Sequence, residues 1–146
     1  MNILVSACLL GVACRYDGVG KENKEVMELM KEHHLVPVCP EILGGLPTPR
    51  TPSEIQPDRK VMMKDGRDVT AEYEKGARET LRLAKLSDCE YAILKERSPS
   101  CGHGEIYDGS FSGTKISGNG IAAELLEKNG VKVIGESQVM QIFFVS

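Results

Sequence analysis

The 146-residue sequence lacks tryptophan, lacks an excess of either charge, and has no apolar run near the roughly 18–20 residues that span a bilayer. Its 18 Lys and Arg stand against 21 Asp and Glu, a formal net charge of −3 with the two signs interspersed. That balance argues against a general nucleic-acid-binding surface and against a polybasic membrane anchor. There is no repeat and no low-complexity segment. A G-x-G-x-x-G turn after the first apolar run and a Walker A lysine motif are also missing, which ranks a nucleotide-binding domain last. No basic residue precedes the run Ile3, Leu4, Val5, and Arg15, Asp17 and Lys21 follow soon after. The start therefore reads as a strand rather than a signal peptide, and the expected compartment is the cytoplasm.

What the sequence does hold is cysteine: Cys8, Cys14, Cys39, Cys89 and Cys101. A domain of about 150 residues buries roughly 70% of the surface of its unfolded chain, so it folds without staples. An odd count in a cytoplasmic chain of this size fits a disulfide framework poorly, which moves metal binding or thiol chemistry up.

Short β-type runs alternate with longer helical ones. Strands are expected at Asn2 to Ala7, Leu35 to Val38, Tyr91 to Leu94 and Val131 to Ile134, with Pro37 hinting at an edge position for the second. Helices are expected from Asn23 to His33 with Asn23 as cap, from Asp68 to Leu86 with Asp68 or Thr70 as cap, and from Gly118 to Asn129. The prolines from Pro40 to Pro57 predict a long ordered loop without regular structure, tethered by Ile42, Leu43 and Leu46. Lys60 to Asp65 reads as a hairpin arm. Residues 138–146, with Val139, Ile142, Phe143 and Phe144, read as an edge strand or a docking tail, so the chain is expected as a monomer or a homodimer. The order predicts one α/β domain over residues 1–146, a three-layer sandwich around a small, mainly parallel, Rossmann-like sheet.

Ligands of open parallel sheets bind beyond the carboxyl ends of the strands. Three expected strands deliver Cys8 with Cys14, Cys39, and Cys101 to that edge, while Cys89 falls at the opposite end. Any one of these alone reads as a small buried hydrophobe, but four at one edge do not. The spacing gives no Cys-x2-Cys knuckle of a zinc ribbon, and only His103 lies near. Thiolates scattered over strand-end loops fit an iron–sulfur cluster better, closed by four cysteines or left with an open iron by three. Beside them lie Glu41, two residues after Cys39, and Ser98 and Ser100 around Pro99. These groups suit proton transfer and water positioning. The plainer alternative pairs Glu41 with Arg50 or Arg97 and makes the serines turn caps. Gly118-Asn119-Gly120, ahead of the last helix, offers an anion site, or more simply a turn and a helix start.

The segments Val5 to Gly11, Cys14 to Gly18, Pro37 to Glu41, Gly44 to Arg50, Leu94 to Gly102 and Ile106 to Gly109 resemble a bacterial family long carried as a domain of unknown function, which includes the thiouracil desulfidases. The resemblance runs from Asn2 to about Glu136 and weakens after Gln138. It implies a 4Fe-4S cluster held by three cysteines, whose open iron acts as a Lewis acid on the C=S bond of a thiolated pyrimidine such as 2-thiouracil. It also implies a water, activated by a glutamate and a serine, that replaces the sulfur without electron transfer. Carried over, the glutamate is Glu41 and the serine Ser98, with Ser100 the competing match. Cys8, Cys14 and Cys101 are the first ligand set and Cys39 a fourth candidate. Arg50 and Tyr16 are candidate substrate walls or loop braces. The implied partner is a small thiolated base, with no membrane and no bulk nucleic acid. A non-catalytic iron–sulfur or zinc carrier is the alternative, and it needs neither Glu41 nor Ser98.

Overall fold

A computed structural model describes residues 1–144. The chain runs β1 (Asn2–Ser6), α1 (Lys24–Glu28), β2 (His34–Val38), α2 (Pro40–Leu43), β3 (Ser53–Ile55), β4 (Val61–Met63), α3 (Thr70–Leu86), β5 (Tyr91–Leu94), β6 (Glu105–Tyr107), β7 (Lys115–Ser117), α4 (Ile121–Lys128), β8 (Lys132–Gly135) and α5 (Val139–Phe143). The main sheet is parallel in the order β2-β1-β5-β8, with Val5 opposite Pro37 on one side and Ile93 on the other. Pro37 sits where a missing N–H is tolerated, on the edge strand.

Alternation along the strands makes two cores. Ile3, Val5, Ile93 and Ile134 face Val26, Leu29 and Val139 on one side of the sheet. Leu4, Ala92, Leu94 and Val133 face Ala84, Ala123 and Leu126 on the other. Helices therefore cover both faces, giving the expected three-layer α/β sandwich. A third cluster, Leu46, Ile55, Val61, Met63, Val69, Tyr73 and Ile106, lies under the antiparallel hairpins β3–β4 and β6–β7.

Several boundaries differ from the sequence expectation. The first helix stops at Glu28 and tightens into a 3-10 turn, Leu29–Lys31, because the chain must turn back into β2 within a few residues. The stretch from Pro40 to Pro57 is not without regular structure: Pro40 starts the one-turn helix α2, where its missing N–H costs nothing, and β3 follows Pro52. The tail is not an edge strand. Val139, Ile142 and Phe143 recur at helical spacing, and Val139 is fully buried against the sheet. Residues 145–146 of the expected tail lie outside the described residues.

A close approach fixes α2. A Cβ on Gly44 would stand 2.0 Å from the Glu72 carbonyl, and one on Gly76 2.0 Å from the Pro40 carbonyl, so α2 and α3 touch backbone to backbone. This contact sets where the Cys39-Pro40-Glu41 corner lies relative to Tyr73 on α3.

Candidate active site

The connections leaving β1 (to β2) and β5 (to β8) run in opposite directions, so the carboxyl ends of β1 and β5 form the switch point of the sheet. A cavity of about 500 Å³ opens there, within the roughly 300–1,000 Å³ usual for small-molecule sites. Cys8 and Cys14 reach it from the turn after β1, Cys39 and Glu41 from the corner between β2 and α2, and Ser98 and Cys101 from the segment after β5. Cys89 is buried in the core and does not line it. A second, shallower hollow of about 460 Å³, lined by Gln56, Pro57, Asp58, Lys60, Met62 and Asp68, carries no cysteine.

All five cysteines are free thiols. The Cys39 thiol donates to the Cys14 carbonyl at 3.7 Å. Hydrogen bonding to Cys14, burial and the nearby Glu41 carboxylate push the Cys39 thiol far up. Cys14 is pushed up to about 11: hydrogen bonding from Cys39 opposes the rise, and hydrogen bonding to Cys8 together with burial outweighs it. Cys101 is raised by burial and by the charges of Glu41 and Cys39, against the Ser6 and Ser98 hydroxyls. The four thiols thus form one interacting group. Cys39 and Cys8 each bear on the Cys14 thiol, and Cys39 on that of Cys101.

Glu41 pairs with Arg50, as the plainer reading of the sequence allowed, while Arg97 turns away to Glu105 at 3.0 Å. Burial raises the Glu41 carboxyl above the usual carboxylate range, and the Arg50 guanidinium opposes that rise. Arg50 lines the cavity, yet its guanidinium also donates to the Cys14 carbonyl at 3.1 Å, the Pro47 carbonyl at 3.3 Å and Thr48 Oγ1 at 3.2 Å. It braces the 44–52 loop against the thiols. Tyr16 lies at the rim, 45% exposed, with the Arg15 guanidinium 5.8 Å from its ring centre and its carbonyl accepting the Arg50 N–H.

The two serines separate. Ser98 lines the cavity, and its Oγ accepts the N–H groups of Ser100 at 3.1 Å and Cys101 at 3.0 Å, so it also caps the turn that carries Cys101. Ser100 is fully buried away from the cavity lining, and its Oγ has no hydrogen-bond partner among the described residues. The proposed anion site before α4 is filled by the protein itself. The N–H groups of Ile121, Ala122 and Ala123 donate to the carbonyls of Pro99 and Ser100, so the helix start holds the Cys101 turn instead. His103 meets Glu127 at the surface, 3.2 Å away, and takes no part.

Two contributors carried no sequence signal of their own. Ser6 Oγ accepts the Lys95 N–H at 2.9 Å across the switch point and faces Cys101. Tyr73, which reads as a core residue at helical spacing, reaches the cavity from α3. Burial and the Glu41 carboxylate raise its hydroxyl well above the ordinary tyrosine value, against the Ser53 hydroxyl.

Six cations line the cavity, Arg15, Lys21, Arg50, Lys64, Lys95 and Arg97, against three carboxylates, Glu41, Glu54 and Glu96. Soft thiol donors within a positive wall suit an anionic, thiolate-ligated iron–sulfur group. The thiols line a cavity rather than close on one point, and among the described residues no three His, Cys, Asp or Glu form a site for a single metal ion. No helix among them is long and apolar enough to cross a membrane.

Comparison with known proteins agrees over almost the whole chain. The uncharacterized protein YbbK of Bacillus subtilis (strain 168) is 44% identical over 149 aligned residues, covering 96% of this chain and 99% of that one. The solved structure of the 4Fe-4S-dependent thiouracil desulfidase TudS matches with a TM-score of 0.91 at 43% identity, covering 98% of this chain and 95% of that one. A family model described as 2-thiouracil desulfurase matches residues 3–138, a span that contains every thiol and polar group of the cavity, and the chain belongs to that family.

Proposed function

We propose that the protein is a cytoplasmic, non-redox desulfidase of a small thiolated pyrimidine such as 2-thiouracil, dependent on a 4Fe-4S cluster. The observation that carries this reading is the meeting of four free thiols with the buried Glu41 carboxylate in one cavity at the switch point of the sheet. Three of Cys8, Cys14, Cys39 and Cys101 hold the cluster, and the remaining thiol stays free beside it. When bound, the cluster supplies a Lewis-acidic iron open to the substrate sulfur.

The chain does the rest. Water and the thiocarbonyl exchange oxygen for sulfur, giving a carbonyl and hydrosulfide, with no change in electron count. Glu41 takes a proton from the water: its raised proton affinity brings it closer to the operating pH than an ordinary carboxylate. Arg50 holds the Glu41 carboxylate in place by charge, an attraction that falls away when Glu41 takes up the proton. Ser98 fixes the Cys101 turn through its two accepted N–H groups and presents its hydroxyl to the same space. The positive wall stabilises the negative charge that develops on oxygen as the water loses its proton.

Anaerobic reconstitution with iron and sulfide, followed by sulfide release from 2-thiouracil, tests the reading. The expected result is a brown protein that converts 2-thiouracil to uracil. A brown protein with no sulfide release supports the carrier alternative instead, and a colourless protein holding only zinc removes the cluster.

A further inference from the structure

The chain has only four tyrosines and three phenylalanines, and four of these rings, Tyr16, Tyr73, Tyr107 and Phe111, line the one cavity. Phe111 is the one of the four without a hydroxyl. Like Tyr16 and Tyr107 it belongs to none of the three apolar clusters, and it sits on the loop between β6 and β7. Its φ is 56°, in the left-handed region that a bulky side chain rarely occupies. A turn alone would be better served there by Gly or Asn.

That unfavourable backbone is held from outside the loop. Glu54 Oε1, on β3, accepts the N–H of Gly109 at 2.9 Å and the N–H of Phe111 at 3.1 Å. Gln56 Nε2 donates to the Gly109 carbonyl at 3.1 Å. Gly109 has a φ of 95°, and a Cβ there would come within 2.8 Å of the Ile55 carbonyl, so the loop lies directly on β3. Strain kept in place by a part-buried carboxylate on a neighbouring strand, under a ring that packs in no core, points to use of the ring. Of the other rings, Tyr16 is met by Arg15 and Tyr73 is wedged in the cluster under the hairpins, while Tyr107 sits on β6 with its backbone opposite Lys115 of β7.

We propose that Phe111 stacks on the flat heterocycle of the substrate, held in position by Glu54, and that this contact selects a planar base. The inference rests on the thiolated-pyrimidine reading. Stacking on an aromatic side chain is tolerant of ring substituents and depends on planarity, which suits a substrate whose sulfur must be free to face the thiols.

The test uses the cluster-loaded protein and four variants: Phe111→Leu, Phe111→Trp, Glu54→Ala and Glu54→Gln. Binding of uracil and of non-planar dihydrouracil is measured by equilibrium dialysis, together with kcat and KM on 2-thiouracil, the visible spectrum and Tm. Phe111→Leu is expected to weaken uracil binding and raise KM about tenfold, to lower kcat far less, and to erase the preference for uracil over dihydrouracil. Spectrum and Tm stay as in the wild type. Phe111→Trp keeps most of the affinity. Glu54→Ala follows Phe111→Leu, and Glu54→Gln, which retains a carbonyl acceptor, recovers most of it. Unchanged uracil affinity in Phe111→Leu overturns the proposal, as does equal loss of both ligands with a fallen Tm. If the wild type binds uracil through Phe111 but releases no sulfide, the desulfidase reading fails while the stacking contact stands.

Discussion

Glu41 and Arg50 form an ion pair 3.6 Å apart, with side chains only 12% and 4% exposed, and the same guanidinium reaches the Cys14 carbonyl. The carboxylate proposed for acid–base work and the backbone beside a cavity thiol are thereby tied to one cation. Replacing Glu41 with Gln preserves shape but removes the charge and the proposed proton acceptor. The expected outcome is an unchanged visible spectrum with turnover reduced by about 100-fold or more. Sulfide release under anaerobic conditions checks it, and unchanged turnover removes Glu41 from the mechanism.

Arg50→Ala leaves the Glu41 carboxylate buried without its partner. Breaking a buried pair costs about 3–5 kcal/mol, and the length of this contact argues for the lower end, about 3 kcal/mol. For a domain of this size that corresponds to a fall in Tm of roughly 6–12 °C. Thermal melting followed by circular dichroism reads it.

Single Cys→Ser variants divide the five cysteines. Cys89→Ser keeps the cluster spectrum, because Cys89 lies outside the cavity. Among Cys8, Cys14, Cys39 and Cys101, three variants are expected to lose most of the bound iron and one to retain it. Iron and sulfide content per chain identifies the odd one out. Retention of iron by all four removes the shared site.

Gly76→Ala tests the contact of α2 with α3. In a free helix the change would favour folding by about 1 kcal/mol. Here the new methyl meets the Pro40 carbonyl at 2.0 Å, backbone that cannot rotate away. The clash wins, and a net loss of about 2 kcal/mol is expected. Because Pro40 links Cys39 to Glu41, turnover falls together with stability in denaturant titrations.

Asp68 Oδ1 accepts from the Thr70 N–H at 2.9 Å and the Thr70 hydroxyl at 2.6 Å, and these bonds lower its carboxyl below the usual range. A lowered folded-state value means stability that is present above the unfolded value of 3.8 and is lost as pH falls through the folded one. Asp68→Asn is expected to flatten the acid side of the Tm profile below about pH 4. Wild-type and variant melting curves at a series of pH values measure the difference.

The parallel sheet, α3 and the gathering of Cys8, Cys14, Cys39 and Cys101 at one edge were legible because each rests on local patterning and on where strands end. The pairing of Glu41 with Arg50 rather than Arg97 was open from spacing and needed the fold of the 44–52 loop. The one-turn α2 was hidden by its prolines, which locally read as loop, and the three-residue strands of both hairpins are too short for an alternating pattern. Tyr73 and Phe111 were invisible as site residues for different reasons. Tyr73 obeys helical core spacing, and the backbone of Phe111 is dictated by Glu54, 57 positions away. The tail is a case where the helical signal was present, since Val139, Ile142 and Phe143 lie at i, i+3 and i+4.

The excess of three positive charges around the cavity has a counterpart elsewhere. With a formal charge of −3 for the whole chain, the surface outside the cavity carries six net negative charges. A long polyanion approaching this protein meets repulsion over most of its length before any segment reaches the mouth. A small molecule comes within about a Debye length, roughly 8 Å at physiological salt, and meets only the field of the mouth. The charge of the molecule is thus divided, a positive mouth within a negative surround, and added salt levels the two.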